Sequence, residues 1–368
     1  MTITAAIVVG DLLRPEVGGR PGGNSRQTLW LWNAVKRQVQ LAAKLPVERL
    51  TVVDAPDLCH HIEALRSPAD ADLYWASVHE ALPADSAFAD LVADRLRDRF
   101  CIGYELPPWL VKLLEAGDIP YVDLRLHPVR FMDDLLFAAR ASRPQAQAAM
   151  LAMAMPESEV IATAGLREAM CCYISAARVP ENTLLVIGQR RFDATQIIDG
   201  DFFDAHRCAE EVHRLCGHYD GVVLKPHPLD RNHSLLEVAA AAPCGVLGVI
   251  ADNTYRMMAL PQITGILTVN SGVAYEAPYF GKRVHTLVSP RLRLTWRGAA
   301  PDPAAYVSLN DVVLTPDFWR AVLRPHVAVT PPDGMRLRPK PNRLRIAFDS
   351  FWNFQEIDTD RIPRRGEA

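Results

Sequence analysis

Leu184-Leu-Val-Ile-Gly-Gln-Arg-Arg-Phe-Asp-Ala-Thr195 carries four apolar residues into Gly188 and then sets down Gln189 and Asp193. A short apolar run closed by glycine reads as a buried strand handing over to a loop or helix. Ligands of open α/β sheets sit at the carboxyl ends of strands, so polar groups placed there are candidates for chemistry. Asp193 is the first of these. Its alternative role is to cap the following helix, since Asp is a favoured N-cap residue.

The same pattern recurs on both sides of this stretch. Upstream, Ile3 to Val9 is a first strand that empties into Arg14-Pro-Glu-Val-Gly-Gly-Arg-Pro-Gly-Gly-Asn-Ser-Arg26. A Gly- and Pro-rich loop after a first strand is often a binding loop, and its arginines suit an anionic or sugar ligand. The glycines do not fit G-x-G-x-x-G, so no dinucleotide fingerprint is read. Gln27 to Lys44 has helical spacing and Arg49 to Asp54 reads as a second strand, the strand-helix-strand order of a parallel sheet. His60-His61 points two ways on a helix and makes a poor metal site.

Ala87 to Arg99 reads as an amphipathic helix, and Phe100-Cys-Ile-Gly-Tyr-Glu-Leu-Pro-Pro108 again ends a strand at a glycine with one carboxylate beyond it. Tyr104 and the two prolines would stiffen the loop that carries Glu105. A carboxylate in a partly apolar setting tends towards a raised pKa, which suits general acid or base work. After a further strand, Arg125, His127 and Arg130 are spaced to line one wall of a site. Leu135 to Met155 and a stretch to about Ala177 read as helical, and Val179 to Thr183 as a crossing between domains.

Downstream, Gly221-Val-Val-Leu-Lys-Pro-His-Pro-Leu-Asp230 is a strand ending at Lys225 and His227, with prolines on both sides of the histidine. That rigidity suits aiming an imidazole, and the two side chains together can hold a phosphate. Gly245 to Ala251 and Gly265 to Asn270 are further strands. The second opens into Ser271-Gly272-Val-Ala-Tyr-Glu276. Free N–H groups at a helix start, with a Ser hydroxyl beside them, form a phosphate site, and Glu276 farther along can accept from ribose hydroxyls. An ordinary Ser N-cap is the alternative. Gly281 to Leu287 closes the sheet.

Composition bounds these readings. The chain has 368 residues, 49% hydrophobic and 23% charged, enough for two cores rather than one. A formal net charge of -3 excludes a whole-chain basic field and argues against a dedicated nucleic-acid binder. Seven cysteines without a C-x-x-C pair suggest neither a disulfide framework nor a zinc site, and a reducing cytoplasm is the simplest setting. The N-terminal apolar run lacks a basic region or cleavage site and is too short to span a bilayer.

Gly188-Gln189 with Asp193-Ala194, Lys225-Pro-His-Pro228, Ser271-Gly272 to Glu276-Ala277 and Gly281-Lys-Arg-Val284 follow one another in an order that resembles the retaining bacterial β-Kdo glycosyltransferases. Gly103-Tyr-Glu-Leu-Pro107 is similar to the acidic motif in the N-terminal part of those enzymes. The resemblance covers roughly residues 100 to 300. It implies an α/β protein of GT-B architecture, two Rossmann-like domains facing across a cleft with a C-terminal crossover helix. Residues 1–178 would form the acceptor-side domain, 179–335 the CMP-sugar-binding domain, and 336–368 a segment packing back on the first.

The resemblance also implies roles. Asp193 would be the nucleophile of a double displacement that moves Kdo from CMP-β-Kdo to a hydroxyl of a surface glycan, capsule or lipopolysaccharide in class. Glu105 would be the acid/base and Gln189 would orient Asp193 or the sugar carboxylate. Lys225, His227, Ser271 and Gly272 would bind the CMP phosphate, and Glu276 the ribose. No further cofactor is expected. Metal independence is expected because Asp199-Gly-Asp201 is the nearest approach to a D-x-D motif and a CMP-sugar has one phosphate. Arg190-Arg191 set two cations before Asp193, a setting suited to a nucleophile that must stay ionised. Partners would be the CMP-sugar donor and an oligosaccharide or lipid-linked acceptor, in the cytoplasm, with the inner membrane face as an option. The aromatic run Phe348, Phe351, Trp352 and Phe354 would pack onto the N-terminal domain or serve as a docking surface. The alternatives are a transferase for another CMP-linked nonulosonic acid, a GT-B-like UDP-sugar epimerase, or a glycan-binding scaffold.

Overall fold

The structure is a computed structural model that describes residues 2–16, 18–83, 86–171, 178–230, 233–250, 252–332, 334–335 and 342–348. Its strands are β1 (Ala5–Val9), β2 (Val47–Leu50), β3 (Arg99–Tyr104), β4 (Tyr121–Leu126), β5 (Phe137–Ala141), β6 (Thr183–Ile187) and β7 (Ile197–Ile198), followed by β8 (Asp201–Phe202), β9 (Gly221–Lys225), β10 (Val246–Val249), β11 (Ile263–Thr268), β12 (Arg283–Thr286), β13 (Leu294–Thr295) and β14 (Tyr306–Leu309). They form an α/β fold with two main sheets.

The first sheet has the order β13-β14-β5-β4-β3-β1-β2, parallel from β4 to β2. Every residue of β1 is buried, as expected of a parallel strand covered on both faces. The helix Ser25–Ala43 lays Leu31, Val35, Val39 and Ala42 on one side, and these pack with Phe318, Trp319, Val322 and Leu323 of the helix Pro316–Leu323. Phe137 to Ala141 is a strand rather than part of the helix expected from Leu135; the helix begins at Pro144. The alternation of large and small apolar residues there satisfies both periods, and antiparallel pairing with β4 decides it.

The second sheet, β10-β9-β6-β11-β12, is wholly parallel. The chain then goes back to the first sheet at β13 and β14. Leu294–Thr295 and Tyr306–Leu309 therefore belong to the first sheet.

Both sheets have a point where the order reverses. In the first the chain moves from β1 to β2 on one side and then to β3 on the other; in the second it moves from β6 to β9 and β10, then back to β11. Such switch points leave a crevice at the carboxyl ends, because neighbouring connections depart to opposite faces. The loops after β1 and β3, and those after β6 and β11, carry most of the candidate residues.

Two ties join the sheets. The hairpin β7-β8, which leaves the end of β6, buries Ile197 and Phe202 in the core of the first sheet with Trp75 and Val78. Its turn is Asp199-Gly200, both with positive φ (50° and 82°), the Asp-Gly pair that closes a two-residue hairpin. That is the structural role of the stretch read as nearest to a metal motif. The second tie runs through the loop between β4 and β5, whose Phe131 and Met132 are buried with Tyr255 and Phe280 in the core of the second sheet. Arg345, 1% exposed, donates to the carbonyls of Arg130, Met132 and Asp133 there. The Asp134 carboxylate accepts from the Leu344 and Arg345 N–H groups and caps the short helix Arg343–Phe348. Phe348 packs on Trp30, ring centroids 4.5 Å apart, so the described start of the aromatic run does pack on the first sheet's layer. Phe351, Trp352 and Phe354 lie outside the described residues.

Candidate functional site

β3 delivers Glu105 with a backbone φ of 49°, left-handed space that a non-glycine residue occupies only when its surroundings impose it. The imposition is visible. The Glu105 N–H donates to the Leu124 carbonyl, the Leu106 N–H to Asp123 Oδ1, and Pro107-Pro108 start the next helix. Arg125 locks the same turn by donating to Asp123 Oδ2 (2.9 Å) and the Leu106 carbonyl (2.7 Å). The Glu105 carboxylate makes no hydrogen bond among the described residues. Burial holds its pKa above the ordinary glutamate value, against the pull of Arg125, Arg14 and Arg130, with Asp193 adding to the rise.

Asp193 lies opposite. It caps the single 3-10 turn Ala194–Gln196, its Oδ1 accepting from the Thr195 N–H (3.0 Å) and hydroxyl (2.9 Å). Capping and reactivity are thus not exclusive, because Oδ2 remains for other work and faces Arg14 Nη2 at 3.7 Å. The cation beside Asp193 is Arg14 from the first sheet rather than Arg190 or Arg191. Arg191 instead stacks over Phe192, and its N–H donates to Asp230.

Gln189 does not touch Asp193. Its Oε1 accepts from the Thr268 hydroxyl (3.0 Å) and the Asn270 N–H (2.9 Å), while its Nε2 donates to Asn270 Oδ1 (3.1 Å). Asn270 in turn donates to the Thr195 carbonyl (2.6 Å) and accepts from Gln196 Nε2 (3.1 Å), and Gln196 Oε1 pairs with His233 Nε2 (3.2 Å). A buried amide network therefore holds the turn on which Asp193 sits. Asn270, Gln196 and His233 were missed in the sequence, where each is an isolated polar residue in a loop or turn.

The expected nucleotide residues end or follow β9 and β11, the two strands that flank β6. Lys225 is buried and its Nζ donates to the Asp252 carbonyl. His227 is half-buried, its Nδ1 accepting from the Leu229 N–H (3.2 Å), which puts the ring proton of the neutral form on Nε2. Burial lowers its pKa, with Arg190 adding to the fall, which favours the neutral ring. The Ser271 hydroxyl accepts weakly from the Val273 N–H at 3.4 Å. The α-helix that follows is one turn, Val273–Glu276, continued by a 3-10 turn, so its dipole is smaller than the sequence suggested.

Glu276 lies deeper than the other expected nucleotide residues. It is 3% exposed, and its Oε1 accepts from the Arg130 N–H (2.6 Å) and the Tyr255 hydroxyl (2.9 Å). Burial raises its pKa to about 7. It fastens the second sheet to the β4-β5 loop. His127 is a correction. It is buried, accepts from the Val129 N–H, pairs with Ser308 (3.1 Å) and has a pKa lowered to about 3 by burial, so it braces the fold rather than lining a site wall. Arg125 and Arg130, by contrast, do face Glu105.

Among the described residues no group of three or more His, Cys, Asp or Glu side chains is placed to hold a metal ion, and no helix is long and apolar enough to cross a membrane. The sequence matches no protein-family model and no curated protein. Two solved structures, both from Thermosulfurimonas dismutans, are similar to the chain. One is a KpsC β-Kdo 2,7 transferase, 16% identical, covering 64% of this chain and 80% of its own length, with a TM-score of 0.34. The other is a KpsC β-Kdo 2,4 transferase, 13% identical, covering 60% and 78%, with a TM-score of 0.33.

Proposed function

We propose that the chain is a retaining glycosyltransferase of GT-B type that moves Kdo from CMP-β-Kdo to a hydroxyl of a bacterial surface glycan. The observation that carries this reading is the approach of two carboxyl groups in different surroundings at the switch points of two sheets. Glu105 is held strained and unpartnered with a raised pKa, and Asp193 is fixed by Thr195 and faced by Arg14. Two carboxyl groups whose surroundings differ in this way suit an acid/base and a nucleophile. The motif order quoted above supplies the substrate class.

In the proposed cycle Asp193 Oδ2 attacks the anomeric C2 of Kdo, the bond from C2 to the phosphate oxygen breaks, and CMP departs with the electron pair. Glu105 then takes the proton of the acceptor hydroxyl as its oxygen attacks C2 and Asp193 leaves. Two inversions give net retention. His227 Nε2–H and the Ser271-Gly272 backbone support the phosphate, with Lys225 supplying charge nearby. Gln189 acts through Asn270 on the Asp193 turn.

The test is calorimetric titration with CMP and with UMP, followed by incubation with CMP-Kdo and an oligosaccharide acceptor. Preferential CMP binding and a product with the donor's β configuration by NMR support the reading. Preference for a uridine nucleotide, or an inverted product, rejects it.

A further inference from the structure

Trp75 stands at the centre of a second arrangement beside Asp193. Its indole N–H donates to Asp11 Oδ2 (2.8 Å), which fixes the ring. The Arg14 guanidinium lies 5.4 Å from the ring centroid, and the His79 ring meets it edge-on at 5.8 Å. His79 ends the helix Ala71–Val78 and is 4% exposed, yet its Nδ1 has no hydrogen-bond partner among the described residues. A buried unpaired imidazole nitrogen costs stability, and its retention asks for a role. The neighbouring Glu80 pairs with Arg291 (3.4 Å), which also donates to the Ile197 carbonyl, so this segment is tied directly to the turn that carries Asp193.

We propose that His79 and Arg14 form a two-point subsite for the carboxylate of a sugar acid, placed beside Asp193. This rests on the donor reading above. The charged groups acting on His79 include Arg291, Arg125, Arg14 and Asp193, with Glu80 next in the chain and Asp11 held on Trp75. Two of those cations are engaged, Arg125 with Asp123 (2.9 Å) and Arg291 with Glu80. Arg14 keeps hydrogen-bonding capacity, since 3.7 Å from Asp193 is beyond a hydrogen bond. A ligand carboxylate between the two side chains gives Arg14 a charge-assisted partner and gives the imidazole an acceptor. Burial and the arginines hold the free imidazole near pKa 4, and a bound carboxylate raises it, so binding takes up a proton.

The experiment compares free Kdo with its methyl ester by NMR titration of the whole chain, with proton uptake read calorimetrically near pH 5.5 in two buffers of different ionisation enthalpy. The wild type should bind the acid at least tenfold more tightly than the ester, with proton uptake for the acid alone. In His79→Gln and Arg14→Gln, each checked for folding by its melting curve, that ratio should fall to within about twofold while CMP affinity stays unchanged. Equal binding of acid and ester by the wild type, or a ratio that survives in either folded variant, overturns the subsite. Failure of CMP to bind the wild type instead removes the donor reading and leaves the acid-to-ester ratio to decide the subsite by itself.

Discussion

Arg14 and Asp193 come from different sheets, and their side chains meet with Nη2 3.7 Å from Oδ2. Arg14 follows β1 and Asp193 follows β6, the first strand of each sheet in chain order and the strand at which each sheet's order reverses. The pairing therefore brings two switch points together. The hairpin β7-β8 makes this possible by burying Ile197 and Phe202 against Trp75, so the Asp193 turn is carried by one sheet and anchored in the core of the other.

Replacing Glu105 with Gln should separate the two halves of the reaction. Adduct formation needs no base and should persist, whereas resolution by the acceptor should fall about 10²- to 10⁴-fold. Because burial raises the Glu105 pKa, the wild-type resolution rate should decline as pH drops through that raised value, and the variant should lose this limb. Stopped-flow quench with mass detection across pH 5 to 8 reads both effects.

Asn270→Ala removes the hub that links Gln189, Gln196 and the Thr195 carbonyl. Two buried amides and the partly buried Thr195 carbonyl lose a partner, a loss of about 1–3 kcal/mol in stability. Urea unfolding should show the loss, and calorimetry should show CMP binding retained with slower Asp193 adduct formation.

Gly103 sits in β3 two residues before Glu105, and a Cβ there would meet Leu106 Cγ at 2.2 Å. Leu106 is fully buried and cannot swing away. Gly103→Ala should cost about 1–3 kcal/mol by overpacking and should displace the Glu105 turn. A lowered melting temperature together with a shifted pH profile identifies this; an unchanged melt contradicts it.

Glu276 predicts a pH dependence of stability. Its folded pKa is near 7 against an ordinary 4.5, so the folded state binds the extra proton. Its contribution is fully present below pH 4.5 and is lost as pH rises towards 7, up to about 3 kcal/mol at ~1.4 kcal/mol per pK unit. Glu276→Gln keeps an acceptor for Arg130 and Tyr255 without the ionisation. The fall in melting temperature from pH 5 to 8 should be shallower in this variant than in the wild type.

Much of the strand framework was legible because parallel strands buried on both faces read as apolar runs, as in Ala5 to Val9 and Leu184 to Ile187. The placement of Glu105 one residue past a strand, and of Asp193 beyond the Gly188 strand end, was legible from strand-end logic. The Asp199-Gly200 hairpin was also readable, since Asp-Gly directly after Ile197-Ile198 is a strong turn signal, but the stretch was weighed only as the nearest approach to a D-x-D motif. What stayed hidden depends on pairing distant in sequence. Asn270 gains its role only when β6 and β11 lie side by side, Glu276 only when Arg130 presents its N–H, and Phe137 becomes a strand residue only because β4 and β14 flank it.

The most direct measurement is the intact mass of the protein, wild type and Asp193→Asn, after incubation with CMP-Kdo and no acceptor. The account predicts an added Kdo residue that maps to Asp193 in the wild type and is absent from the variant. A wild-type protein that binds CMP yet never gains this mass, or an adduct that persists in Asp193→Asn, contradicts the double displacement through Asp193.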